Sequence, residues 1–103
     1  MFLSAYHFSG DPAELAAAHD ALCQKFPPEV LDLHVCVRTQ EGIVVFDACP
    51  SRADFLVFSS SAEFRQAVAD VGLPEPRLEP LGEVHFAHVR EELLKVITAR
   101  QAR

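Results

Sequence analysis

Leu31-Asp32-Leu33-His34-Val35-Cys36-Val37-Arg38-Thr39-Gln40-Glu41-Gly42-Ile43-Val44-Val45-Phe46-Asp47-Ala48 is the stretch that decides the fold. From Leu31 to Arg38 the side chains alternate, with Leu31, Leu33, Val35 and Val37 on one face and Asp32, His34, Cys36 and Arg38 on the other. That is the period of two expected of a strand. Thr39 to Gly42 is a short polar connector holding a glycine, and Ile43 to Ala48 after it is β-branched and apolar, so the two runs read as a hairpin.

Working outward, Phe2 to Phe8 runs without a breaker until Ser9-Gly10-Asp11-Pro12 closes it with turn chemistry, which makes it the first strand. Asp11 is placed to cap free N–H groups, Pro12 suits the first helical position, and Glu14 sits at the capping-box position. Leu15, Ala18, His19, Leu22 and Phe26 then recur at three- and four-residue steps, a helical stripe that stops at Pro27-Pro28. Downstream, strand three ends near Cys49-Pro50. Ser51 with Asp54, and Ser60 with Glu63, each match a capping box, predicting two short helices between Ser51 and Val71, broken at Ser59-Ser60-Ser61 and ended by Gly72. Pro74, Pro76 and Pro80 predict an extended linker, Val84 to Val89 a fourth strand, and 90–101 a terminal helix.

Strand, helix, hairpin, helix, strand is the split βαβ pattern, so the expected class is α+β: a ferredoxin-like βαββαβ domain over 1–103, its four-stranded antiparallel sheet in the order 4-1-3-2 with helices on one face. The opposite face is then bare. Because large exposed apolar patches are rare on monomers, the expected cover is a second copy, giving a homodimer packed through the sheet face.

Half of the 103 residues are apolar and the formal charge is −6, with no basic cluster larger than a loose run near Arg100 and Arg103. A phosphate backbone needs a concentrated basic face, so nucleic acid is not an expected partner. No apolar run approaches the roughly 18 to 20 residues of a membrane span, and Met1 to His7 lacks the basic start and cleavage site of a secretory signal. The expected location is cytoplasmic. Cys23, Cys36 and Cys49 are odd in number and widely spaced among apolar neighbours, which reads as reduced core thiols. Seven Arg against two Lys, with abundant Ala, points to a GC-rich bacterial source.

Three features, the strand Ala5-Tyr6-His7-Phe8 leading into Asp11-Pro12-Ala13-Glu14-Leu15, the segment Gly42-Ile43-Val44-Val45-Phe46-Asp47, and Ser51 to Phe58 starting the broken helix, give the chain a pattern that resembles the dimeric α/β barrel group. That group includes antibiotic biosynthesis monooxygenase-like proteins. The resemblance spans residues 2 to 89 and implies a homodimer with a ligand cavity between sheet and helices, and an activity of the cofactor-independent oxygenase or isomerase type. The oxygenase and haem-degrading members use Asn, Trp and His in the pocket, whereas this sequence holds no Trp and no Asn, so that residue set does not carry over. Fold alone does not give function.

Among residues able to carry chemistry, His7, His34, His85 and His88 all fall on predicted strands, and His titrates near neutrality. The order 4-1-3-2 predicts that His7 and His85 meet, and separates His34 from both, so no metal ligand set is expected. His34 and Cys36 share a strand face two residues apart and form a Cys/His pair only if their side chains converge. His85 and His88 point to opposite faces. Asp47 is placed to accept hydrogen bonds from the following turn or to line a cavity mouth. Tyr6, the lone tyrosine, needs a hydroxyl partner once buried. No glycine-rich phosphate loop, flavin, haem or nucleophile motif is visible, and no cofactor is expected.

Two readings follow. The chain is an enzyme-like protein of oxygenase or isomerase type that binds a small apolar or aromatic molecule through His7, Tyr6, His85 and His34, or it is a non-catalytic dimeric binding, sensing or assembly module.

Overall fold

A computed structural model describes residues 1–93. The first strand, β1 (Phe2–Ser9), leads into helix α1 (Pro12–Lys25), a 3-10 turn over Pro28–Val30 and the hairpin strands β2 (Leu33–Arg38) and β3 (Gly42–Cys49). Helices α2 (Arg52–Ser59) and α3 (Ala62–Asp70) follow, and β4 (Arg77–Glu83) completes an antiparallel sheet in the order β2-β3-β1-β4. This α+β arrangement is compatible with a ferredoxin-like fold. The helix expected over 90–101 lies, beyond residue 93, outside the described residues.

Local chemistry explains most boundaries. Asp11 accepts a hydrogen bond from the Glu14 backbone N–H at 2.9 Å, with Pro12 at the first helical position. Ser51 caps α2 by accepting from the Asp54 backbone N–H. The cap of α3 is Ser61 and not the expected Ser60: Ser61 accepts from the Phe64 N–H, while the Ser60 hydroxyl donates back to the Leu56 carbonyl at 2.6 Å and closes α2. In a run of three serines each hydroxyl competes for backbone partners.

The fourth strand is also displaced from its expected place at Val84–Val89. It begins directly after Pro76 and runs through Pro80, pairing His7 with Arg77, Ala5 with Glu79 and Ser4 with Pro80, with a register shift before Leu3 meets Gly82. The physical reason is its position at the sheet edge, where only one side needs ladder partners and a proline is tolerated, especially beside a bulge. Val84 adds one further bond to the Met1 carbonyl, and beyond it Phe86 is 81% exposed.

Cross-strand register sorts the two faces of the sheet. On one, Phe2, Tyr6, Phe8, Ile43 and Val45 pack against Leu15, Phe55, Phe64 and Val68 of the helices, forming the core. Rows of β2, β3 and β1 partners put His34, Asp47 and Ser4, then Cys36, Val45 and Tyr6, on this same helix-covered face. The other face carries Leu33, Val35, Val37, Val44 and Phe46, and Val35 and Val37 are 42% and 39% exposed there.

Candidate functional site

Two elements bring the reactive side chains together. On α1, His19 and Cys23 stand four residues apart and therefore one above the other on one helix face. That face packs over β2 and β3. On β2, His34 points toward the helix, and its antiparallel partner on β3 is Asp47. The result is a cluster at the junction of α1 with the hairpin, in which His19, His34 and Asp47 side chains are only 12% to 14% exposed.

The geometry within it is specific. His34 Nδ1–H donates to Asp47 Oδ1 at 2.6 Å, and His19 Nδ1–H donates to Asp20 Oδ1 at 3.1 Å. With both Nδ1 positions held by carboxylates, both Nε2 atoms turn inward, and they meet at 2.8 Å. The rings are nearly parallel, 11° between planes with centroids 5.0 Å apart, so they approach tip to tip. A contact that short holds one proton, donated by one ring and accepted by the other. Cys23 Sγ completes the group at 3.4 Å from His19 Nε2 and 3.9 Å from His34 Nε2.

Electrostatics follow from this packing. Burial alone would depress His19, yet the Cys23 thiol beside it outweighs burial and raises the imidazole. For His34 burial is likewise outweighed, by the Asp47 carboxylate and then Cys23, so that the pair as a whole favours the protonated form. Burial pushes the Cys23 thiol up, but the two histidines prevail and bring it down to about 7. The group is thus poised to hold positive charge between its nitrogens and sulfur. In metal-free protein, alkylation of Cys23 by iodoacetamide is expected to reach half its maximal rate near pH 7, with His19→Ala moving that midpoint upward toward the ordinary thiol range. An unchanged midpoint in the variant would separate the thiol from its histidine.

Such a set can do two things: stabilise a thiolate, or hold a cation. The atoms His19 Nε2, Cys23 Sγ and His34 Nε2 all lie within 4.8 Å of one another. Around a tetrahedral zinc with Zn–N about 2.0–2.1 Å and Zn–S about 2.3 Å, nitrogen atoms sit roughly 3.3 Å apart and nitrogen and sulfur roughly 3.6 Å apart. The observed separations of 2.8, 3.4 and 3.9 Å are within about half an ångström of those.

A cavity of about 50 Å³ opens beside the cluster, with Tyr6, Phe8, Leu22, Val45 and Phe64 among its apolar walls. Tyr6 is buried; desolvation, with the Asp47 charge, holds its hydroxyl well above the ordinary phenol range. A wider open groove of about 450 Å³ lies elsewhere, between α3 and the approach to β4, lined by Arg65, Gln66, Leu73, Glu75, Pro76 and Leu78.

Of the four residues singled out in the sequence, Tyr6 and His34 line the small cavity together. His7 lies on the opposite sheet face, where Nε2 meets Glu79 Oε1 at 2.8 Å. His85 follows the end of β4, exposed, near the Met1 end of β1, so it does not meet His7: β4 pairs seven residues earlier than expected, which puts Arg77 opposite His7. His34, which the sheet order separates from the other strand histidines, instead has His19 of the α1 apolar stripe and the Cys23 thiol as its neighbours. A signal for both was present, since His and Cys recur at helix spacing (19 and 23) and again at strand spacing (34 and 36).

Known protein families offer no model that matches this chain, and no curated protein is similar to it in sequence.

Proposed function

We propose that this protein binds one zinc-class ion at His19, Cys23 and His34, with Asp47 orienting His34 from behind. The observation that carries the reading is the convergence of two imidazole Nε2 atoms and one thiol within 4.8 Å, with each imidazole held from behind by a different carboxylate. Imidazole and thiolate together suit borderline-soft cations. A carboxylate accepting the far ring proton is the usual partner of a ligating histidine, because it fixes the tautomer and raises ligand basicity. Asp47 stands in that place.

Size favours an ion over the aromatic ligand expected from sequence. An apolar cavity of about 150 Å³ takes benzene, whereas a water needs only about 10–15 Å³. The chamber of about 50 Å³ suits an ion with a water or two. Isothermal titration of reduced, metal-free protein with zinc tests the proposal: one ion per chain is expected, with Asp47→Ala weakening affinity by about 10- to 100-fold. Failure of the wild type to bind zinc tighter than micromolar would overturn it.

The outer sheet face supports a second copy as partner, in the face-to-face manner of the dimeric α/β barrel group. Its support is the row Leu33, Val35 and Val37 beside Val44 and Phe46, apolar and partly exposed. Light scattering at micromolar concentration is expected to give twice the 11.4 kDa chain mass, and Val35→Lys to shift the protein to monomer. A wild-type monomer would remove this part of the proposal.

A further inference from the structure

Building on the zinc-class reading above, we propose that Cys36 is a fourth ligand, which makes the centre a closed Cys2His2 site for a thiophilic ion, zinc foremost, with no coordination position left for a substrate.

The argument begins with the two spacings. A helical pair at i and i+4 presents two donors on one face, and a strand pair at i and i+2 presents two donors on one face about two rises, near 7 Å, apart at the backbone. His19 with Cys23, and His34 with Cys36, are such pairs, each supplying one imidazole and one thiol, and the fold lays one over the other. The register confirms the orientation of Cys36: it shares a row with Val45 and Tyr6, both on the helix-covered face, and packs against the core from that side. Its neighbour on the same strand face, His34, meets His19 Nε2 at 2.8 Å within the group of three converging atoms.

Cys36 is free, as are the other two cysteines, and stands outside the group of three that lie within 4.8 Å of each other. Sγ hangs on χ1 alone, and a hop between staggered wells moves it by a few ångströms without backbone change. Cys36 faces the same helix-covered side as His34, whose Nε2 is one of the three converging atoms.

Charge supports the same count. Two thiolates and two neutral imidazoles leave a divalent ion formally neutral within the ligand shell, which suits a half-buried site. Four protein ligands in this set are the pattern of structural zinc, whereas a catalytic zinc keeps one position for water. The inferred role is therefore to pin the edge strand β2 to α1 rather than to activate water.

Cobalt(II) as a spectroscopic stand-in, added to the reduced full chain, tests this directly. The expected complex has the intense visible bands of four-coordinate cobalt and a sulfur-to-metal charge-transfer band that falls by about half in Cys36→Ser and in Cys23→Ser, and vanishes in the double variant. Zinc affinity should drop at least tenfold in Cys36→Ser. Should a serine variant fail to fold, X-ray absorption of the wild-type zinc complex decides by itself: two sulfur and two nitrogen scatterers are expected. One sulfur scatterer, or full charge-transfer intensity in Cys36→Ser with total loss in Cys23→Ser, overturns the fourth ligand while leaving the three-residue centre intact. Absence of any cobalt or zinc binding overturns both.

Discussion

Replacing His34 with alanine is expected to weaken zinc binding by roughly a hundredfold to a thousandfold. Structural zinc sites bind with about 10–16 kcal/mol at neutral pH, so an equal share for one of four ligands is about 2.5–4 kcal/mol, and each 1.4 kcal/mol is tenfold. Competition against a chromophoric chelator gives the ratio. The substitution also strips Asp47 of its 2.6 Å partner at a position only 12% exposed. An unsatisfied buried acceptor costs about 1–3 kcal/mol, more when charged, so metal-free His34→Ala should also lose stability in urea. Zinc affinity within threefold of wild type would place the ion elsewhere. His7→Ala, on the opposite face of the sheet, should leave zinc affinity unchanged.

The second large effect concerns the hairpin that carries half of the site. Gly42 has φ of +154°, and a Cβ there would stand 2.0 Å from the carbonyl oxygen of Phe8, a backbone atom of the central strand. Neither side can yield. Gly42 pairs with Ser9 at the end of the β1–β3 ladder and accepts the Thr39 N–H at 2.9 Å, which closes the turn. Gly42→Ala is expected to cost about 3–5 kcal/mol and to lower the melting temperature by roughly 15–30 °C for a domain of this size. Gly72 is the matched control: its φ is +84°, but an added Cβ meets nothing within 4 Å. Gly72→Ala carries only the left-handed backbone penalty of about 1–2 kcal/mol. Thermal denaturation of the two variants side by side separates clash from conformational strain, and equal losses would mean that the close approach at Gly42 relaxes.

These two effects meet in one element. The hairpin brings His34 opposite Asp47 because its register is set at the Thr39–Gly42 turn, and a slip by one residue would turn His34 and Cys36 to the outer face. Gly42 therefore supports the site as well as the fold. Zinc in turn stabilises the folded chain by mass action, since an ion bound only by the native state raises the unfolding free energy with its concentration over Kd.

Much of this architecture is legible along the chain, because the features concerned depend on neighbours a few residues away. Alternation from Leu31 to Arg38, the Thr39–Gly42 turn, the Asp11-Pro12-Glu14 helix start and the Pro27-Pro28 stop each act locally, and together they determine the element order and the sheet order β2-β3-β1-β4. Where local rules compete, the sequence leaves the choice open. Three consecutive serines offer more than one cap, and a proline-rich strand is allowed only if it lies at an edge, which no local signal reports.

The site belongs to the second kind. His19 and Cys23 precede His34 by 15 and 11 residues, and whether they face it depends on how α1 is rotated over the sheet. Leu15 and Leu22 of that helix join Phe8, Ile43 and Val45 of the sheet in one core, a condition no single segment contains. Sequence periodicity alone determined which residues share a face of each element. Only tertiary packing decided that the histidine-and-cysteine face of the helix lies against the histidine-and-cysteine face of the strand, because contact between elements is fixed by the summed shape of the core and not by any spacing along the chain.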